Sequence, residues 1–172
     1  DLPVEGAIAQ DIVADVYLAQ SMHGRAAELL RPAYETLLEE LGPDDPRTLR
    51  VGYRLLTADS FEILPDELES RANELFGRLR RRFGRNDPIT LATGRLHAIS
   101  FFRRGDNVEA ERLLRANHRE CELALGPTDL QTVNSLMSLV RTLRDRLFNG
   151  EYEHPDPIRA EVRSLLSLIH IS

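Results

Sequence analysis

The sequence has no lysine, only one cysteine, and no long run of apolar residues. Because Cys121 is alone, no internal disulfide and no thiolate metal cage can form, which fits a reducing compartment, and we expect a cytoplasmic protein. No stretch of about 18 apolar residues occurs, so no membrane-spanning helix and no membrane partner are predicted. The start at Asp1 has no basic segment before an apolar one, so no signal peptide is expected there.

The overall composition excludes two further classes of protein. Of the 172 residues, 42% are apolar and 29% are charged, with a net charge of −6, which excludes a disordered or collagen-like chain. This length suits one domain or one short array of repeats, and roughly 70% of the unfolded chain's surface could be buried. All 22 basic residues other than histidine are Arg, which fits a GC-rich coding sequence and limits any argument from the choice of Arg over Lys.

One segment occurs three times at a spacing of 42 residues. The copies read LGPDDPRTL from residue 41, FGRNDPITL from residue 83 and LGPTDLQTV from residue 125. A fixed period of this size indicates a repeat architecture. In each copy the Gly predicts a helix end with a left-handed residue, and Asp45-Pro46 or Asp87-Pro88 predicts the next helix start. The third copy has no Pro at the helix start, and its Thr128 with Gln131 offers a capping box instead.

Between these segments the apolar residues recur with the spacing of a helix. The columns 42 residues apart are Ala26/Leu68/Ala110, Leu30/Ala72/Leu114, Ala33/Leu75/Asn117, Leu37/Leu79/Cys121 and Leu41/Phe83/Leu125 in the second helices, and Leu49/Leu91/Val133 and Leu56/Ala98/Val140 in the first. Their internal spacing of three and four residues traces one helix face, and no segment alternates with period two. We therefore predict an all-α fold of antiparallel helix pairs with units at about 1–41, 42–83, 84–125 and 126–164.

The predicted helices are 5–22, 25–41, 45–62, 65–83, 87–103, 107–125, 128–147 and 155–169. Breaks are expected near Gly24, Gly105 and Gly150. Two features fit less well. Pro32 should kink its helix or end the first half, and the second unit has no Gly between its helices, so that Pro65 starts the next helix instead.

This pattern resembles the 42-residue tetratricopeptide repeat (TPR) of the kinesin-light-chain type, which is also found in bacterial multidomain regulators. The residues that carry the resemblance are Phe83-Gly84, Asp87-Pro88, Thr90-Leu91, Ala98, Gly105, Glu109-Ala110 and Leu113-Leu114. The resemblance covers about residues 6–150. It implies a right-handed α-solenoid of about 3.5 to 4 units, whose first helices line a concave surface that binds peptides or protein segments and performs no chemistry. Stacking also follows from physics, because one hairpin cannot bury its apolar face alone.

Positive charge is concentrated on the first helices of units two to four. Segments 46–62, 88–104 and 130–146 hold nine Arg and three acids, a net charge of +6, whereas the rest of the chain carries −12. Carrying the family's concave positions onto these helices gives ten candidate partner-binding residues. They are Arg50, Tyr53, Arg95, Ile99, Phe102, Arg103, Asn134, Met137, Arg141 and Arg144.

Arg can bind carboxylates through two hydrogen bonds, and Tyr or Met supplies apolar contact, so this set suits an extended acidic peptide. Asp11 and Asp15 break the trend in the first unit, so we expect a groove that is acidic at one end and basic along the rest. A solvated charged face without a partner is the alternative interpretation.

The residue patterns of common catalytic and cofactor sites are missing. No Gly-rich phosphate loop and no His-Glu-x-x-His motif occurs, and the five His have no ligand spacing, so no catalytic, cofactor or metal site is predicted. His97 and Cys121 could meet inside the third unit, but both occupy core columns. Ser60, Ser100 and Ser135 have no base placed beside them. The Arg-rich segment 78–85 complements a helix C-terminus, and the pI of about 5.4 disfavours nucleic acid as a partner.

The end of the sequence leads to separate expectations. Ile158, Val162, Leu165, Leu166 and Ile169 form an apolar helix that no further unit covers, so we expect the protein to continue in both directions. Residues 165–172 resemble a translated sequencing adapter and are interpreted as a non-native tail.

The leading hypothesis is a protein-interaction scaffold within a larger bacterial protein. The alternative is the sensor or regulatory arm of a signalling ATPase or transcription regulator that packs on its own chain. An enzyme is disfavoured.

Overall fold

The computed structural model describes residues 2–169, which form eight α-helices and contain no β-strand. The prediction of an all-α fold is confirmed for this range. The helices are α1 (Leu2–Ala19), α2 (His23–Leu41), α3 (Pro46–Asp59), α4 (Pro65–Phe83), α5 (Pro88–Arg104), α6 (Asn107–Leu125), α7 (Leu130–Phe148) and α8 (Pro155–Ile169). Residues 170–172 of the suspected tail lie outside the described range.

The helices group into two compact units, Asp1–Gly84 and Arg85–Ser172, and the division falls at a predicted repeat boundary. In the first unit α2 packs against both α1 and α3, and α3 packs against α4. Ala14 from α1, Leu30 and Leu37 from α2, and Leu55 from α3 lie in one buried cluster. The core of this unit therefore includes the α2 residues that the helical spacing assigned to it.

The second unit has the same sequential packing, of α5 with α6, α6 with α7, and α7 with α8. Its apolar cluster includes Ala98, Leu114, Leu143 and Val162. In both units the first four columns of the second helices are buried as predicted, whereas the fifth, at Leu41, Phe83 and Leu125, is only half-buried. These helix ends therefore remain partly open to water.

An aspartate begins the first helix of each of the last three repeats. The side chain of Asp45 accepts a hydrogen bond from the Arg47 backbone N–H, and that of Asp87 accepts one from Ile89. In the third copy Asp129 accepts from Gln131 at 2.8 Å. The predicted capping box from Thr128 is therefore wrong, because the aspartate caps the helix whether or not a proline follows it.

The helix-ending glycines adopt a backbone that only glycine tolerates well. Gly42, Gly84 and Gly126 have φ of 83° to 91° with ψ near 170°. The predicted left-handed helical conformation is not found at these three, although Gly105 adopts it, with φ 88° and ψ 4°. The three turn glycines combine positive φ with an extended ψ, a region essentially restricted to glycine.

The first interhelix turn differs from its prediction. Gly24 lies inside the first turn of α2, and the residue with positive φ is Ser21 instead. Pro32 does not end α2, which continues through it to Leu41. The break in the second unit follows the prediction, since Pro65 is the first residue of α4.

The apolar residues of α8 are used inside their own unit. Val162 is buried, and Ile158, Leu165 and Leu166 pack against the cluster formed with α7. The expectation that this face lacks a cover is therefore wrong for these four residues. The outward side of α8 is polar, with Arg159, Arg163, Ser164 and Ser167 exposed.

Candidate partner-binding surface

In the second unit, α5 and α7 bring two of the predicted site residues together. The Arg141 guanidinium lies 4.8 Å from the centre of the Phe102 ring, a cation–π arrangement. Met137, Arg141 and Arg144 follow one another at intervals of four and three along α7, so they share one face, and all three are exposed. This face therefore offers an apolar side chain and two cations to the solvent.

The other predicted residues of this unit lie deeper. Arg95, Ile99 and Arg103 on α5 are half-buried, and so is Asn134 on α7. The Asn134 backbone carbonyl accepts a hydrogen bond from the Ser138 hydroxyl at 2.9 Å. These residues border the exposed α7 face rather than extend it.

The two α7 arginines differ from their neighbours in pairing. Among residues 2–169, neither Arg141 nor Arg144 has a carboxylate within 4.0 Å. Arg146, two residues further along α7, is paired with both Glu111 and Glu151. The charge of Arg141 and Arg144 is therefore available to an external anion, as a binding surface requires.

In the first unit the predicted residues lie on α3. Arg50 is exposed and its guanidinium stands 5.7 Å from the centre of the Phe83 ring, while Tyr53, one turn further, is half-buried. Arg50 has no carboxylate partner within 4.0 Å in the described part of the chain. It resembles Arg141 in combining a ring contact with an unneutralised charge.

The acidic residues of the first unit are not free acids. Arg54 on α3 forms ion pairs with Asp11 and, at 3.3 Å, with Asp15, so α1 and α3 are joined by charge. The predicted acidic end is therefore partly neutralised from within. The sequence analysis counted Arg54 among the basic residues of the first helices but did not pair it.

A buried ionic cluster in the second unit was not predicted. Glu111 on α6 is 8% exposed, and it accepts hydrogen bonds from Arg115 at 2.7 Å, from Tyr152 at 2.5 Å, and from Arg146. Burial raises the pKa of the Glu111 carboxyl, but these three hydrogen bonds outweigh burial and hold the pKa below its usual value. Arg115 also binds Glu161 on α8, so the cluster ties three segments together.

A second buried acid lies in the first unit. Asp59, the last residue of α3, is 2% exposed and accepts hydrogen bonds from Arg31 at 3.0 Å and Arg71 at 2.9 Å. It thereby links α2, α3 and α4. Spacing alone could not reveal it, because both of its partners come from other helices.

The prediction that Ser135 has no base beside it is wrong. His118 Nδ1 lies 3.0 Å from Ser135 Oγ, and His118 Nε2 lies 3.8 Å from a Glu122 oxygen. Ser135 has no exposed surface, however, and its hydroxyl donates to the Thr132 carbonyl at 2.8 Å. A nucleophile must reach its substrate, so this trio is an interhelix hydrogen-bond network.

The suggested meeting of His97 with Cys121 has no support in the structure. The His97 ring packs against Phe101 at 5.3 Å, while the Cys121 thiol lies 3.9 Å from the Asn117 side-chain oxygen. Burial raises the pKa of the Cys121 thiol, which keeps it protonated. Within residues 2–169, no group of three or more His, Cys, Asp or Glu is arranged to hold a metal, and no helix is long and apolar enough to cross a membrane.

Comparison with known proteins defines the fold. No protein-family model matches the chain, and no curated protein matches it either. Similarity to solved structures extends over almost the whole chain, and those structures contain TPR-like repeats. The chain thus has a TPR-like repeat fold, and the predicted class, an α-solenoid of helix pairs, is confirmed.

Three of these structures illustrate the likeness. The nearly identical TPR-like repeats of a Podosopora anserina protein assigned to the kinesin light chains match with a TM-score of 0.67 and 17% identity over 98% of this chain and 95% of that one. A point variant of the same repeats gives 0.62 and 20% over 96% and 77%. BtubC (BKLC) from P. vanneervenii gives 0.71 and 11%, and the match covers 95% of this chain and 64% of the BtubC chain. At these identities the likeness concerns the fold.

Proposed function

We propose that the chain is a protein-interaction scaffold that binds an acidic segment of a partner through the first helices of its repeats. The observation that carries this proposal is the pair of exposed arginines on α7, Arg141 and Arg144, which lack a carboxylate within 4.0 Å in the described range. The TPR-like fold supports it, because stacked hairpins leave an extended surface that is not needed for the core.

The chemistry of the α7 face favours an extended peptide with carboxylates. Stacking on Phe102 restricts Arg141 while its N–H groups stay free to fork a carboxylate. Met137, which is 53% exposed on the same face, gives a partner an apolar contact beside the two charges. Specificity would then come from carboxylates spaced to reach Arg141 and Arg144 together.

The test is a binding measurement by fluorescence anisotropy with labelled peptides rich in Asp and Glu. The matched peptides carry Asn and Gln instead, which keeps the shape and removes the charge. We expect only the acidic series to bind, and its affinity to fall as ionic strength rises through the physiological range.

The decisive variant is Arg141→Glu combined with Arg144→Glu. It should weaken acidic-peptide binding by about tenfold or more, because both charges become repulsive. The matched control is Arg119→Glu with Arg163→Glu, two exposed arginines of α6 and α8 in the same unit. Equal losses in the two double variants would show that net charge alone is responsible and that α7 is not the binding face.

The remaining predictions keep their earlier status. A regulatory arm that packs on its own chain, the kinesin-light-chain type of the repeat, a bacterial and cytoplasmic setting, and the lack of catalysis are proposals that rest on the sequence. The groove as a whole, which includes Arg50, Tyr53 and the α5 residues, is likewise proposed. The α7 face is its part with the strongest physical support.

A further inference from the structure

Helix α1 presents an apolar face to the solvent that its counterparts bury. Gly6, Ala9, Val13 and Val16 are all exposed, and they follow one another at intervals of three and four residues along one side of the helix. Ile12 adds to the same surface. The buried residues of α1, such as Val4 and Ala14, lie elsewhere on the helix and serve its own core. We call Gly6, Ala9, Val13 and Val16 the α1 face.

The repeat register identifies the equivalents of the α1 face in other first helices. Adding 42 residues gives Thr48, Val51, Leu55 and Ala58 on α3, and adding 126 gives Thr132, Ser135, Leu139 and Thr142 on α7. All eight of these residues are buried. At the last column Val16 is 55% exposed, while Ala58 and Thr142 are each 1% exposed. The α1 face is thus apolar at positions where α3 and α7 bury their residues.

What buries the equivalents is visible in each unit. On α3, Thr48 donates a hydrogen bond to the Leu37 carbonyl of α2 at 3.1 Å, and Val51 joins the cluster that contains Leu30. On α7, Ser135 faces His118 of α6 at 3.0 Å. In both cases the cover is the second helix of the preceding repeat.

We infer that the α1 face is a docking surface for one further helix with the pattern of the second helices. Such a helix carries Leu or Ala at intervals of four, three and four residues, as α2 does at Ala26, Leu30, Ala33 and Leu37. It also carries a ring in the column of Tyr34, Phe76 and His118. In that register the ring lies over Ala9, because His118 meets Ser135, and Ala9 is the α1 equivalent of Ser135.

The chemistry of the other chain end argues against a second copy seated through α8. The outward side of α8 exposes Arg159, Arg163, Ser164 and Ser167. Placing these polar residues on Val13 and Val16 would remove two arginines from water without a partner, which is costly. A helix with an apolar stripe has no such penalty.

The test supplies the helix in register. A copy of residues 65–87, which comprises α4 and the turn after it, is joined directly to Val4, because Val4 is the 42-residue equivalent of Pro46 and Pro88. If the added helix covers the α1 face, thermal unfolding should move upward by about 5 °C or more. Val16→Glu should abolish this gain in the extended chain and should leave the parent chain almost unchanged.

The matched control is Val108→Glu. Val108 is 59% exposed, close to the 55% of Val16, but it lies on α6 away from the α1 face. It should have the same small effect in both chains. An extended chain without a higher Tm, or one in which the two substitutions act equally, would overturn the proposal.

A second measurement does not depend on the fusion. A synthetic peptide of residues 65–83 is titrated into the 172-residue chain, and the backbone amide signals are followed by NMR. The proposal expects shifts at Ala9, Val13 and Val16 that are lost in the Val16→Glu variant. If the chain instead forms a dimer that Val16→Glu dissociates, the α1 face belongs to a second copy and the proposal is wrong.

Discussion

Replacing Glu111 with Gln tests how much the buried ionic cluster stabilises the second unit. The substitution keeps the shape of the side chain and removes the charge that Arg115, Arg146 and Tyr152 share. The amide oxygen can satisfy only some of these donors, and its NH₂ group faces guanidinium N–H groups that cannot accept. The variant therefore leaves buried donors without partners.

The size of the effect follows from what each arginine retains. Removing one partner of a buried pair costs about 3 to 5 kcal/mol. Here Arg115 keeps Glu161, at 2.6 and 2.9 Å, and Arg146 keeps Glu151, at 2.9 Å. We therefore expect the low end, about 3 kcal/mol, or about 6 to 12 °C in Tm for a chain of this length.

The assay is thermal unfolding followed by circular dichroism over a range of pH. Because the folded-state pKa of Glu111 lies below its usual value, its contribution is complete at neutral pH. It is lost as the pH falls below about 4.3, the pKa of the group in the unfolded chain, towards the folded-state value. The Tm difference between parent and variant should shrink over that interval.

Glu109→Gln is the matched control on the same helix. Glu109 also binds an arginine through two hydrogen bonds, at 2.6 and 2.8 Å from Arg112, but this pair is open to solvent. Its loss should change Tm much less, because water screens the pair. A Glu111→Gln variant as stable as the parent, or a Tm difference that does not depend on pH, would refute the reasoning.

Three further predictions concern backbone and buried polar positions, and a fourth concerns the thiol. Gly126→Ala should lower the free energy of unfolding by about 1 to 3 kcal/mol, because its φ of 87° with extended ψ strains any side chain. In contrast, Gly77→Ala within α4, where the new methyl group meets only Arg81 Nη1 at 3.6 Å, should raise it by about 0.5 to 1 kcal/mol in urea unfolding. Asp59→Asn should destabilise the first unit by about 1 to 3 kcal/mol, since two guanidinium groups lose a buried carboxylate, and equal urea midpoints would contradict this. Cys121 should react with a thiol reagent only after unfolding, and rapid labelling of the native chain would show that it is not buried.

The helix starts and the core could be predicted from local rules. Asp45 and Asp87, each followed by proline, begin helices where their chemistry requires it, and the spacing at Leu30 and Leu37 identified buried positions. The main error at a helix start was Thr128. The general capping rule fitted that residue, but the aspartate next to it has the position that the other two repeats use.

The polar contacts of the site could not be predicted in the same way. Glu111 and Asp59 are buried because partners come from other helices, and a charged residue with helical spacing normally faces water. The pairing of His118 with Ser135 was missed for the same reason. Arg141 could be placed on a helix and a face, but its stacking on Phe102 depends on how α5 and α7 pack.

The repeated turn at Gly42, Gly84 and Gly126 has a consequence for how the chain can change in length. Each turn sets the azimuth at which the next helix starts, and one residue inserted into a helix rotates every later side chain on it by about 100°. Such an insertion would point the leucines of that helix towards water. Additions and losses are therefore expected to survive only as complete 42-residue blocks, so that recombination at the glycine turns is the permitted way for this protein to grow or shorten.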